Sequence, residues 1–168
     1  LIYRDDRDIF AMVNENADYA TSQIPGNPLT GGTQTVYALR TAPRFVLENA
    51  PGGYRQFGSA ILRFEKRYSD GWLLRASIVW SDLTGNALKN NSYVPEFQDW
   101  NGQVNADGRL SNFSTWEGKV SASVDLPWGI KASAYYTWLS GEYWTPYARV
   151  SSSAIKNNAT NVNLVERG

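Results

Sequence analysis

The sequence predicts an all-β fold: a stretch of antiparallel transmembrane β-barrel wall with long loops at one end. Three observations lead there. Phe57–Trp80 and Trp116–Trp138 each read as a pair of strands of about ten residues joined by a very short turn. In each strand one phase is small or apolar and the other is largely polar or charged. Tryptophan recurs in the apolar phase near the strand ends, where an indole ring joins a large apolar body to one polar N–H. Lipid on one face and water on the other is the setting that asks for this pattern.

Wall strands are expected over about residues 1–13, 54–68, 72–84, 113–126 and 130–143, with loops over 14–53, 85–112 and 144–168. In the first, Ile9, Ala11 and Val13 share a side, while the cluster Arg4, Asp5, Asp6, Arg7, Asp8 keeps most of it in water. The following loop opens on Asn14–Gly32, rich in Asn, Thr, Gly and Pro. Within it Thr33–Leu39 has strand propensity and is expected to pair with Phe45–Leu47 as a small hairpin outside the membrane.

The second strand sets Gly58, Ala60, Leu62 and Phe64 against Ser59, Arg63, Glu65 and Arg67, with Ile61 out of phase. After Ser69-Asp70-Gly71 the third sets Trp72, Leu74, Ala76, Ile78 and Trp80 against Arg75, Ser77 and Ser81, interrupted by Leu73 and Val79. The fourth alternates strictly, Trp116, Gly118, Val120, Ala122, Val124 and Leu126 against Glu117, Lys119, Ser121, Ser123 and Asp125. A slip of one residue there would carry three charges into the apolar environment. After Pro127-Trp128-Gly129 the fifth sets Ile130, Ala132, Ala134, Tyr136 and Trp138 against Lys131, Ser133, Tyr135 and Thr137.

A strand tilted by about 40° climbs roughly 2.6 Å per residue along the membrane normal, so Trp72 to Trp80 covers roughly 20 Å and Trp128 to Trp138 roughly 26 Å. An apolar band of roughly 25 Å between aromatic girdles is what such a wall requires. Trp72, Trp80, Trp116, Trp128, Trp138 and Tyr136 are therefore the expected lipid-facing and girdle residues, and Arg63, Glu65, Arg67, Arg75, Glu117, Lys119, Asp125 and Lys131 the expected lumen-facing ones. Very short turns alternate with long connections, which places the turns on the periplasmic side and the loops outside the cell. Five strands are too few to close a barrel, so the expectation is a segment of a larger wall, without a plug domain.

Composition narrows the remaining classes. The 168 residues carry sixteen acidic and sixteen basic side chains, and no basic stripe draws nucleic acid. Neither Cys nor His occurs, which removes disulfides, thiolate and imidazole metal sites, and Ser-His or Cys-His nucleophiles. No apolar run approaches the length of a transmembrane helix.

Two runs carry a family resemblance. FGSAILRFEKRYSDGWLLRASIVWSDLTGN, with Lys66-Arg67 before the turn Ser69-Asp70-Gly71-Trp72 and a strand ending in Trp80-Ser81, resembles the C-terminal half of TonB-dependent outer-membrane receptors, in particular the Oar-like subgroup. DLPWGIKASAYYTWLSGEYWTPY, with Leu126-Pro127-Trp128-Gly129 and a Ser140-Gly141 to Thr145-Pro146 exit, is similar to the next hairpin of that group. The two runs cover about a third of the chain and neither motif is catalytic. The resemblance implies a 22-stranded barrel in the bacterial outer membrane, with a plug inside it, energised through contact with the TonB complex. It implies uptake of a ligand that these residues do not name. The alternatives are a soluble β-sandwich module that binds carbohydrate, and a passive porin or structural outer-membrane component.

Further candidate sites are few. Asn105 and Asp107, in Asn-Ala-Asp-Gly, give the alternate oxygens of a calcium loop, but Gln103 and Ser114 stand where its decisive carboxylates belong, so no metal or other cofactor is expected. Glu65 with Glu117 or Asp125 could in principle form a hydrolase carboxylate pair, but basic residues accompany each, and no enzymatic activity is expected. Loop aromatics Tyr93, Trp100, Trp144 and Tyr147 are candidates to stack on a sugar or another flat ligand.

Overall fold

The alternation read along the sequence becomes antiparallel β-structure, and among the described residues the helices are single turns. The structure, a computed structural model, describes residues 1–27, 29–87, 95–111, 114–155 and 160–168. Its strands are β1 (Ile2–Arg7), β2 (Phe10–Asn14), β3 (Tyr19–Pro25), β4 (Thr33–Leu39), β5 (Phe45–Asn49), β6 (Tyr54–Ser69), β7 (Trp72–Gly85), β8 (Trp116–Leu126), β9 (Ile130–Leu139), β10 (Tyr147–Val150) and β11 (Thr160–Asn163). Two short α-helices, α1 (Pro95–Gln98) and α2 (Ser152–Ile155), and 3₁₀ turns at Trp100–Gln103 and Pro127–Gly129 complete it. The chain divides into two compact units: one of Leu1–Arg4, Phe57–Asp82 and Asn112–Glu142, called the wall unit after the strands expected to form a wall, and one of Asp5–Gln56, Leu83–Ser111 and Tyr143–Gly168, called the loop unit.

The wall unit is built on one five-stranded sheet in the order β1-β6-β7-β8-β9. Its first hairpin turns on Asp70 (φ 52) and Gly71 (φ 78), the pair of positive φ values that matches the right-handed twist of flanking strands. Its second turns on Pro127-Trp128-Gly129, where Trp128 takes φ 67 and Gly129 φ 73. Register follows the alternation. Across β7, β8 and β9 the rows run Trp72, Val124, Ala132; Leu74, Ala122, Ala134; Ala76, Val120, Tyr136; and Ile78, Gly118, Trp138, with Trp80 opposite Trp116 beyond them. The ring of Trp138 lies over Gly118, where an added Cβ would meet it at 3.6 Å, and Trp80 lies similarly over Gly58 at 4.0 Å. Large rings thus cover glycines on the neighbouring strand.

The loop unit holds the buried apolar residues. Ile9, Ala11, Ala50 and Ala87 form one cluster, flanked by Val13 and Phe97; Val36, Val150, Ile155 and Val162 form another, flanked by Ile24 and Val104. Three two-stranded sheets frame it: β2 with β5, β3 with β4, and β10 with β11.

Five expectations are corrected. Residues 1–13 are not one strand: Asp8 adopts φ 48, and past it Ile9 and Ala11 enter a buried cluster as β2 pairs with β5. The segment 14–53 is not simply loop, and Phe45–Leu47 does not pair with Thr33–Leu39. That strand pairs instead with Tyr19–Pro25, Tyr19 opposite Leu39, because this register turns Val36 into the buried cluster. The loop expected over 144–168 contains the β10–β11 hairpin, whose Val150 and Val162 are buried. The strands expected over 113–126 and 130–143 begin at Trp116 and end at Leu139; past them the ladder thins to Ser140 N–H on the Trp116 carbonyl and a Ser114–Glu142 bridge.

Candidate functional surfaces

The wall sheet presents two chemically different faces, and neither carries a packed core. Among the described residues of the wall unit no hydrophobic residue is buried; its buried side chains are Ser59, Thr115 and Ser123. On the apolar face Leu62 is 71% exposed and Phe64 56%, and Ile78, Trp80, Trp116, Val120, Val124, Tyr136 and Trp138 are all exposed. Trp72 stands at the turn end of this face and Trp80, Trp116 and Trp138 at the other, while Trp128, at the tip of its turn, is 92% exposed.

The opposite face is a lattice of polar pairs. Lys131 sits directly across from Asp125, Nζ to Oδ1 2.8 Å, and Arg75 Nε reaches Glu65 Oε1 at 3.2 Å. Lys119 pairs with Glu117 on its own strand, and the Tyr68 hydroxyl donates to Asp125 while Lys131 lies 4.7 Å over the Tyr68 ring. Hydroxyls fill the space between: Ser133 donates to Ser123 at 3.0 Å, and Ser59 and Ser81 share a bond of 3.1 Å. Arg63 and Arg67 make no ion pair among the described residues, which leaves this face with a basic surplus.

Lys66 is a residue the alternation did not single out. It lies in the apolar phase one position before Arg67, and its Nζ reaches back to the turn, donating to Ser69 O at 3.0 Å, Ser69 Oγ at 2.8 Å and Trp72 O at 3.2 Å. The ammonium also sits 4.0 Å over the Trp72 ring. A long stem on apolar surface with its charge carried to the rim is snorkelling.

In the loop unit, Trp100 stacks on Tyr19 with centroids 4.9 Å apart, and Tyr37 meets Trp100 edge-on at 5.5 Å and 85°. A buried amide holds this group. Asn101 Oδ1 accepts from Tyr37 N–H at 2.8 Å and Asn101 Nδ2 donates to Tyr37 O at 2.8 Å, so one side chain completes both backbone bonds of a β4 residue. Asp99 Oδ1 accepts from Asn101 N–H at 2.8 Å and Nδ2 at 2.7 Å, capping the 3₁₀ turn that carries Trp100. Burial pushes the Tyr19 phenol above its ordinary 10.0, while bonds from Asn14 and the Trp100 backbone pull the other way. The sequence marks Asp99 and Asn101 only as further oxygens near the calcium-like loop, and Asn and Asp are enriched in turns anyway.

The other candidates are dispersed. Trp144, 74% exposed, and Tyr147 make no ring–ring contact among the described residues, and Tyr93 lies outside them. Asn105 Nδ2 bonds Asn163 O at 2.9 Å, and Asp107 Oδ1 accepts from Tyr54 OH at 3.0 Å. Among the described residues no cluster of acidic side chains could hold a metal ion.

No protein-family model matches the chain, and neither a curated protein nor a solved structure does.

Proposed function

We propose that the chain is an arc of the wall of a bacterial outer-membrane receptor, its Trp-bounded face against lipid and its ion-paired face toward a hydrated lumen. One observation carries this: the wall unit buries no hydrophobic residue among those described, yet displays a continuous apolar sheet face in register. In water such a face is a liability of several hundred Å². In hydrocarbon it is the stable arrangement, because the backbone groups between paired strands are already satisfied. A soluble sandwich needs a second sheet over that face, and the exposure of Leu62, Phe64 and Trp138 argues against one. The loop unit would then be built from the connections outside the cell, with passage of ligand through a plugged lumen energised by the TonB complex. Support for this last step is the resemblance of the two hairpins alone.

The test is extraction and depth. Full-length protein should leave cell membranes in detergent and stay behind in carbonate or high salt. In liposomes, brominated acyl chains should quench Trp72, Trp80, Trp116 and Trp138. Protein recovered in buffer without detergent would end the wall reading.

A further inference from the structure

We infer that a hollow on the ion-paired face of the wall sheet binds a small organic monoanion, a carboxylate carried on a compact apolar group. The hollow has a volume of about 470 Å³, and Ile61, Arg63, Arg75, Val79, Lys119 and Tyr135 are among the residues that line it. That volume lies within the roughly 300–1,000 Å³ of small-molecule sites.

Charge selects the head of the ligand. Glu65 engages Arg75 at 3.2 Å, and Glu117 engages Lys119. Among the described residues Arg63 has neither an ion pair nor a hydrogen bond, which leaves its charge and its planar fork of N–H donors unused. Such a fork matches the two oxygens of a carboxylate. One uncompensated charge asks for one negative charge; a dianion could be met only by drawing Arg75 or Lys119 away from its own carboxylate.

Two exceptions to the strand alternation select the body. Ile61 and Val79 are apolar residues in the polar phase of β6 and β7, and both line this hollow. Contacts on either side fix where they fall. Ser59 meets Ser81 at one end of the stretch and Glu65 meets Arg75 at the other, so the antiparallel strands between them bring Ile61 to Val79 and Arg63 to Ser77. Ile61 stays 42% exposed, and the Tyr135 ring beside the same hollow 68%. Apolar surface two residues along the strand from an unpaired guanidinium, on a face otherwise of charges and hydroxyls, is complementary to an amphiphilic anion. Its carboxylate would lie on Arg63 and its apolar part would remove Ile61 and Val79 from water.

As a station on a ligand's path through a lumen the hollow rests on the proposed function; the binding itself does not depend on a membrane. Full-length protein in non-ionic detergent would be titrated with 3-phenylpropionate by calorimetry. The neutral 3-phenylpropionamide, acetate and the dianion phenyl phosphate test charge and body separately. The expected result is a Kd of about 0.1–1 mM for 3-phenylpropionate, with each of the other three at least tenfold weaker. Arg63→Gln should weaken binding at least tenfold. Arg67→Gln, which removes the other unpaired arginine of this face, should change it less than twofold. Should Arg63→Gln fail to assemble, Ser77→Glu, which sets a carboxylate beside Arg63, must abolish binding. Absence of binding, equal losses in Arg63→Gln and Arg67→Gln, or preference for the amide, acetate or phenyl phosphate would each overturn the inference. Extraction behaviour reads the wall proposal separately: binding by a protein that needs no detergent sinks the wall and keeps the hollow, and a membrane-embedded protein that binds none of the probes does the opposite.

Discussion

Replacing Asn101 by Ala strands the Tyr37 N–H and C=O and removes the side-chain donor from Asp99, at a buried position. Each unsatisfied buried group costs about 1–3 kcal/mol, so the loop unit should lose about 3 kcal/mol or more, read by denaturation and by faster exchange of the Tyr37 amide. Asn101→Asp should be no better, since it loses the donor to Tyr37 O and sets a second carboxylate against Asp99. On the wall, Ala122 lies mid-row between Leu74 and Ala134. If hydrocarbon covers that row, Ala122→Arg costs about 2–4 kcal/mol in liposome-based unfolding, and Ser121→Glu, on the other face opposite Arg75, is near neutral. Equal effects at the two positions would count against the assigned faces. Tyr19 adds a pH dependence. Its folded phenol holds its proton above 10.0, so its share of stability is complete below the unfolded value and is lost as pH rises through the raised folded one. Absorbance titration at alkaline pH should lose one late tyrosine step in Tyr19→Phe.

Strand phase makes the sharpest claim at the level of elements. In β8 a single inserted residue after Val120 would swing every side chain on one side of the insertion to the opposite face, whereas two inserted residues restore the phase. Heat-modifiable mobility on gels, the usual sign of an assembled barrel, should vanish with the first insertion and return with the second. The same phase logic explains what could be read in advance. Strands β6 to β9 were legible because Trp, Val and Ala alternate with Lys, Glu and Ser over whole strands, and the Asp70-Gly71 turn leaves one pairing open. Strand β3 was not, since Thr21, Ser22 and Gln23 resemble loop and become strand only through the partner β4. Strand β5 was assigned the wrong neighbour because proximity in sequence favoured β4, while the burial of Ile9 and Ala50 decides for β2. The Trp100 corner was half legible: its exposed ring stood out, but the Tyr19 and Tyr37 rings beside it depend on a hairpin the alternation did not reveal.

For the molecule as a whole, the proposed function gives the two units different solvents. The loop unit buries Val36, Leu110, Ile155 and Val162 almost completely, which stabilises it in water; the wall unit has no such residue among those described. Diluting purified protein out of detergent should therefore strip exchange protection from the β6–β9 amides while those of Val36 and Val162 persist. Simultaneous loss of both would mean that the loop unit has no stability of its own.

Among the described residues the five-stranded ladder stops at β1 and at β9, and each outermost strand aims alternate amides and carbonyls away from its one neighbour there. Such rims cannot cross oil unsaturated, for each bare group costs several kcal/mol there. On the proposed wall reading, delivery into a bilayer is thus a zippering problem before it is a partitioning one. The rims must be stitched to further strands while still wet, or by a machine that supplies a temporary template edge, and liposomes offered this arc alone should collect aggregate at their surface and no inserted protein.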